Sequence, residues 1–299
     1  MKQTTGITAL LAFAAISTLT TLPVKAFTLT QNSDTATLLN TLLGNTTGLS
    51  NFTTEINGSP EGFGLFENDP FGLNSGIALS TGRVADIAGQ NTEDGNLFDL
   101  ANDLSTDFGT EGIEDGDDNI SLNISFDVNN SANEIFFDYV FGSEEFAEFG
   151  GSPDFNDSFE LLLNGVNLAK LSDGSDVTIS NLVPNPLGPY HPDYINNPAG
   201  ANTLTKLDGY TKILNFRGLL NRNARNTLTI NIRDSGDGLM DSVVFLKSGS
   251  LSTLPPPETV PEPPQLLGLF ALAGIGIFSQ RKHRKNILAT TLIKTSQKM

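Results

Sequence analysis

Cysteine and tryptophan are absent from the 299-residue chain, and methionine and histidine occur only three times and twice. Without cysteine no disulfide can cross-link the fold, and no thiolate can serve as nucleophile or metal ligand. With two histidines, a nucleophile–base pair has few places to form. His283 sits in a basic C-terminal cluster, while His191 lies in the proline-rich loop PLGPYHPDY and reads as a solvated loop residue. No GxSxG elbow occurs. Positive charge is the next shortage. Between Phe27 and Pro264 the chain carries nine Lys and Arg residues, while all 34 Asp and Glu residues precede Pro263. Nucleic acid and anionic lipid are poor partners for such a surface. From Val84 to Ala169 there is no Lys or Arg but 20 acidic residues. A later basic segment, Lys206, Lys212, Arg217, Arg222, Arg225 and Arg233, contains only Asp208 as a counter-charge. Either this segment packs on the acidic half, or cations neutralise it.

Long apolar runs occur only near the two ends. Met1 and Lys2 lead into ITALLAFAAISTLTTL, Ile7 to Leu22, and the small-residue exit Val24-Lys25-Ala26. This reads as a secretory signal peptide over residues 1–26, cut after Ala26, with an uncleaved anchor as the alternative. Near the other end come Val260-Pro261-Glu262-Pro263-Pro264, the apolar run LLGLFALAGIGIF from Leu266 to Phe278, and the basic cluster Arg281, Lys282, Arg284 and Lys285. A helix of that run spans about 20 Å, short of the roughly 30 Å hydrocarbon core. Positive charge directly after it favours a cytoplasmic C-terminus, leaving the preceding domain outside. The order of these three parts resembles the PEP-CTERM sorting tail of Gram-negative bacteria. That resemblance implies export machinery and an exosortase-type processing enzyme as partners, a transient stay in the inner membrane, and then a cell-surface or extracellular location. Family tails usually stop at the basic cluster, whereas this chain continues with NILATTLIKTSQKM, residues 286–299. An ordinary single-span anchor over residues 265–285 is the other reading. The stretch STLPPPETVPEPP, residues 252–264, is proline-dense enough to act as an extended spacer.

The residues between form one domain-sized stretch, 27–251. ISLNISFDV, Ile120 to Val128, alternates apolar and polar residues, and EIFFDYVF, Glu134 to Phe141, is apolar on both faces like a central strand. Asn164-Gly165 separates two strand-like runs and signals a hairpin. NTLTINI (Asn226 to Ile232) and DSVVFLK (Asp241 to Lys247) add two strands. Helices are expected only over Thr35 to Leu43, with Asp34 as N-cap, and over Asn96 to Ser105. The fold class is therefore mostly β, a single β-sandwich of jelly-roll type with a few short helices, and Phe137, Tyr139, Phe141, Phe159, Leu161, Val243 and Phe245 are expected in its core.

Four motifs carry a family resemblance: SGIALSTG (Ser75 to Gly82), FDYVFGSEEF (Phe137 to Phe146), FNDSFELLLNG (Phe155 to Gly165) and DSVVFLKSGSL (Asp241 to Leu251). With TATLLNTLLG and EGFGLF before them, they resemble the choice-of-anchor L domain over nearly all of residues 28–251. The resemblance implies an extracellular bacterial domain joined to a C-terminal anchoring or sorting signal, and it implies no particular activity.

Chemistry concentrates in FDYVFGSEEFAEFGGSPDFNDSFE, which holds seven carboxylates, Asp138, Glu144, Glu145, Glu148, Asp154, Asp157 and Glu160. Ca²⁺ takes six to eight oxygens from carboxylates, amides and carbonyls, and such groups are dense here. Asp157 and Asp241 each head an apolar row and Asp138 interrupts one, so burial should make each of them need a cation or hydrogen-bond donors. Glu144, Glu145, Asn156, Asp157 and Asp241 are the expected oxygen donors to a structural calcium ion; a wet acidic loop is the alternative. DGDDN, Asp115 to Asn119, fails the EF-hand pattern and reads as a turn. Two functions stay open: an exported, non-catalytic surface or matrix protein adhering to polysaccharide or to other proteins, and a secreted polysaccharide hydrolase. The hydrolase would need two carboxyl groups about 5–10 Å apart beside exposed aromatic rings. The non-catalytic reading is preferred because no nucleophile constellation exists.

Overall fold

The alternation of apolar and polar residues becomes strands almost residue for residue in a computed structural model, which describes residues 25–94, 101–109, 118–236 and 238–256. The strands are β1 (Thr28–Gln31), β2 (Leu49–Asn57), β3 (Phe63–Glu67), β4 (Ser75–Ser80), β5 (Asn119–Val128), β6 (Glu134–Ser143), β7 (Ser158–Leu163), β8 (Val166–Asn167), β9 (Val177–Thr178), β10 (Tyr194–Asn196), β11 (Gly209–Thr211), β12 (Leu214–Leu219), β13 (Ala224–Arg233) and β14 (Ser242–Lys247). They form two antiparallel sheets. The first has the order β1-β3-β4-β14-β6-β11-β10, with β12 also pairing β6; the second has the order β2-β5-β13-β7-β8, with β9 on β7. No closed barrel forms among the described residues.

Strand β6 explains the layering. Its residues from Ile135 to Ser143 are all buried, so apolar side chains leave both of its faces. Phe137, Tyr139 and Phe141 join Ile120, Leu122, Ile124, Phe159, Leu161 and Ile230 in the core between the sheets. Tyr139 and Phe159 meet across it with ring centroids 5.0 Å apart. Val140, Val243 and Phe245 face the other way, into a second cluster with Phe27, Phe66, Val84 and Leu207. All seven expected core residues are fully buried, but Val243 and Phe245 belong to this outer core.

Local signals also hold. Asp34 caps α1 (Thr35–Leu42), its Oδ1 accepting from the Thr37 N–H at 2.8 Å. Asn164 (φ 52°) and Gly165 (φ 82°) make the tight turn that lets Leu163 pair with Val166. The helix expected over Asn96 to Ser105 does not form in its described part: residues 101–105 are irregular. Their N–H groups go to buried carboxyl groups instead, as described below, and tertiary hydrogen bonding outweighs helical propensity. The first five residues of that expected helix lie outside the described residues. So do the bulk of the signal peptide, most of the DGDDN turn, and everything from residue 257, including the sorting motif and the apolar run. Among the described residues no helix is long and apolar enough to cross a membrane.

Candidate functional site: an acidic strand end and its cavity

Register alone gathers three acids. Both β14 and β11 run antiparallel to β6, with Ser242 and Gly209 each opposite Ser143. The residue after the β6 end, Glu144, therefore lies between the residues before the two neighbouring strands, Asp241 and Asp208. The Glu144 N–H donates to the Asp241 carbonyl at 3.2 Å, and the Asp208 N–H donates to the Ser143 carbonyl at 3.1 Å. A strap formed by residues 101–108 crosses this end. The Asp103 N–H donates to Glu144 Oε1, and the Thr106 N–H donates to Asp241 Oδ1 at 2.8 Å. Asn91 reaches in from before the strap, its Nδ2 donating to Asp208 Oδ1 at 2.7 Å and to the Asn197 carbonyl at 2.9 Å. Gly82 closes the back, because a Cβ there would sit 1.7 Å from Asp241 Oδ2.

Glu144, Asp208 and Asp241 are at most 3% exposed. Burial pushes the Glu144 carboxyl up to about 8, with the charges of Asp103 and Asp241 adding to it and the N–H groups of Asp103 and Leu104 opposing. Burial, then the charges of Glu144 and Glu148, raise Asp208 to about 10, while the Asn91 hydrogen bond pulls it back. Asp241 rises to about 7, chiefly by burial and against the Thr106 N–H, with Asp118 and Asp86 raising it and Arg83 opposing. The basic segment does pack on the acidic half, but at the surface. Arg217 pairs with Glu134 at 2.6 Å and Arg225 with Asp127 at 3.0 Å, well-exposed pairs worth little. The buried groups are not relieved by them. Glu144 Oε2 and Asn91 Oδ1 are buried with no hydrogen-bond partner.

The five expected calcium donors are split between the two sheets. Glu144 and Asp241 are strand-end neighbours. Asn156 and Asp157 head β7, where Asn156 Oδ1 accepts from the Ser180 N–H at 2.9 Å and Asp157 Oδ1 from the Ser235 N–H at 2.9 Å. Glu145, 2% exposed, instead lines an adjoining cavity. The expected desolvation of Asp138, Asp157 and Asp241 holds, all three being buried. Asp138 is met by Asn215 Nδ2 at 2.6 Å and Lys247 Nζ at 3.4 Å. Among the described residues no three acidic or histidine side chains converge to hold a metal ion. What comes together is two carboxyl groups, Glu144 and Asp208, with the Asn91 amide bound to Asp208 through Nδ2. Asn91 was invisible in the sequence, and Asp208 stood out only as the lone acid of the basic segment. The three-residue strand β11 that brings Asp208 in has no readable pattern.

His191 corrects an expectation. Its side chain is 9% exposed rather than solvated, with Nε2 3.5 Å from Asp173. The proline-rich loop folds back, the His191 N–H donating to the Leu182 carbonyl at 2.8 Å, while Nδ1 accepts from the Asp193 N–H at 3.1 Å.

Beyond Glu145 the chain wraps a cavity of about 560 Å³, with Glu148, Phe149 and Phe155 on one side and Leu239 and Met240 on the other. The Phe149 and Phe155 rings meet edge-on at 5.2 Å. Gly150 and Gly151 let this loop lie against Val183 and Pro184; a Cβ on either would come within 2.5 Å of a backbone oxygen there, and Gly151 has φ +76°. Burial, helped by the charge of Asp94, pushes Glu148 up to about 7.

No curated protein and no solved structure matches the chain. The family model for the choice-of-anchor L domain does match, over residues 26–252, which takes in both sheets, the strap and the cavity. The chain belongs to the choice-of-anchor L domain family.

Proposed function

We propose that this chain is an exported, non-catalytic cell-surface or matrix protein, adhesive in use, whose acidic strand end is neutralised by a calcium ion. Glu144 and Asp208 supply carboxylate oxygens, Asn91 Oδ1 supplies an amide oxygen, and backbone carbonyls and water complete the six to eight positions that calcium takes. The observation that carries the cation is that Glu144 and Asn91, which meet the Asp208 carboxyl by charge and by hydrogen bond, each keep one buried oxygen, Oε2 and Oδ1, without a partner. A buried acceptor left unpaired costs about 1–3 kcal/mol, and more when charged, so a cation has much to offset.

Family membership supports the surface location. Export fits the start of the described residues: Ala26 is exposed, and Phe27 is the first of them that is buried, packed on Phe71 and Phe245. The rest of the reading runs through the PEP motif Val260 to Pro263, the apolar run and the basic cluster, with an exosortase-type enzyme removing the tail. Intact mass of the protein from the surface fraction of its host tests this. The expected mass corresponds to a chain beginning at Phe27 and lacking the segment after the Pro-Glu-Pro region. A surface species extending to Met299 contradicts the removal, and recovery only from the cytoplasm contradicts export.

A second reading is favoured by the cavity, which brings Glu145 and Glu148 together with two phenylalanines, the residue types a polysaccharide hydrolase needs. Its walls argue against a sugar, because among the described residues Asn102 and Ser152 are the only neutral polar side chains lining it and hydroxyl groups need many partners. Release of reducing ends from polysaccharide, abolished in Glu148→Gln, would establish the hydrolase.

A further inference from the structure

We infer that the cavity beside Glu148 binds an organic cation, an ammonium or guanidinium group carried on an apolar stem. The volume, about 560 Å³, lies in the range of small-ligand sites. The walls name the ligand's two halves. Phe149, Phe155, Leu239 and Met240 offer aromatic and aliphatic surface, and Leu239 is 38% exposed, more than a core leucine would be. At one side stands Glu148, whose Oε1 is buried and has no hydrogen-bond partner. Its other contacts are backbone N–H groups, its own and that of Ala147. Among the described residues no Lys, Arg or His lines the cavity; Glu145 lines it as well, and Asp94 and Asp208 are further acids nearby.

That combination selects among ligands by charge. An anion meets the carboxyl groups of Glu145 and Glu148 and, among the described residues, no positive side chain. A neutral apolar molecule leaves Glu148 Oε1 unsatisfied. A cation on an apolar stem places an N–H at that oxygen, puts its positive charge beside aromatic faces, and covers the exposed leucine at the same time. Glu148 is pushed up to about 7 when no ligand is present, because it is half-buried and lies near the charge of Asp94. A bound cation favours its charged form, so binding below pH 7 must release a proton from it.

The test is calorimetric titration of the full chain at pH 6.5 in millimolar calcium, with 4-phenylbutylammonium as probe and 4-phenylbutanol as its neutral counterpart. The cation is expected to bind at least tenfold more tightly than the alcohol. Its apparent heat should change with the ionisation enthalpy of the buffer in the direction of proton release. In Glu148→Gln the preference and the buffer dependence should both vanish, while the circular dichroism spectrum and melting temperature show the variant folded. Leu239→Asn, a neutral polar change at a partly exposed wall position, should weaken both probes through the apolar half and so checks the location without touching Glu148. Equal affinity for the two probes, no binding of either, or a preference that survives in Glu148→Gln overturns the proposal. Binding of neutral oligosaccharide in the absence of 4-phenylbutylammonium binding overturns it in favour of a sugar site. Calcium is present throughout, so these outcomes do not depend on which residues hold that ion.

Discussion

Two millimolar calcium is expected to raise the melting temperature of the folded domain over that in chelator at matched ionic strength, and the gain should grow with pH. The sign follows from the buried acids. Glu148 and Asp241 are pushed to about 7, Glu144 to about 8 and Asp208 to about 10, while unfolded carboxyl groups titrate near 4. The folded protein therefore holds more protons than the unfolded chain at neutral pH, and stability falls as pH rises. Their favourable contribution is full below about pH 4 and is lost as pH climbs through the folded values. In chelator the melting temperature should decline steadily from pH 5 to pH 9. Calcium replaces the protons, so it adds little at pH 5 and most at pH 8 and above. If the ion is present at 100 times its dissociation constant it contributes about 2.7 kcal/mol, and at ~2–4 °C per kcal/mol for a domain of this size the shift is about 5–10 °C. Asp208→Asn separates the ion from general screening. The amide is neutral without a proton, whereas Asp208, raised to about 10, must take one up on folding at pH 8, so the variant should melt higher than the parent in chelator and keep little of the calcium gain.

Phe245→Ala is expected to be among the most destabilising single changes. The ring is fully buried in the outer core and lies 4.6 Å from Phe71, 5.3 Å from Phe66 and 6.1 Å from Phe27, centroid to centroid. Truncation leaves a cavity shared by β1, β3 and β14 and should cost about 3–5 kcal/mol, read as a lowered midpoint of urea unfolding at unchanged slope. Leu219→Ala, at a position 74% exposed on β12, should change stability by less than about 0.5 kcal/mol. A midpoint for Phe245→Ala within error of the Leu219→Ala control would mean that the first sheet has no second core.

The contrast between those two residues also marks what could be read from the sequence. Strand patterns identified β5, β6, β13 and β14, β6 from apolar residues on both faces, and period-two spacing picked out every expected core residue, because alternation is a local consequence of the pleat. It could not tell which face of the first sheet Phe245 joins, since β14 is apolar on both. The acids at the heads of apolar rows, Asp157 and Asp241, were recognisable as desolvated for the same local reason. Asp208 and Asn91 were not. Their place beside Glu144 depends on strand order and on a strap whose helical pattern is overridden by carboxyl groups accepting its N–H groups. The wet-loop alternative fails for Glu144 and Glu145 on burial alone, 1% and 2% exposed.

The most direct test of the central claim is a calcium titration of the metal-free full chain by calorimetry at pH 8, set beside Asn91→Ala and Glu144→Gln. The account predicts one calcium bound per chain at the strand end, binding weakened at least tenfold in each variant, and no comparable response to magnesium, whose tighter octahedral shell this irregular set of oxygens does not match. A folded parent chain that takes up no calcium, or one whose calcium affinity is unchanged in both variants, would contradict it.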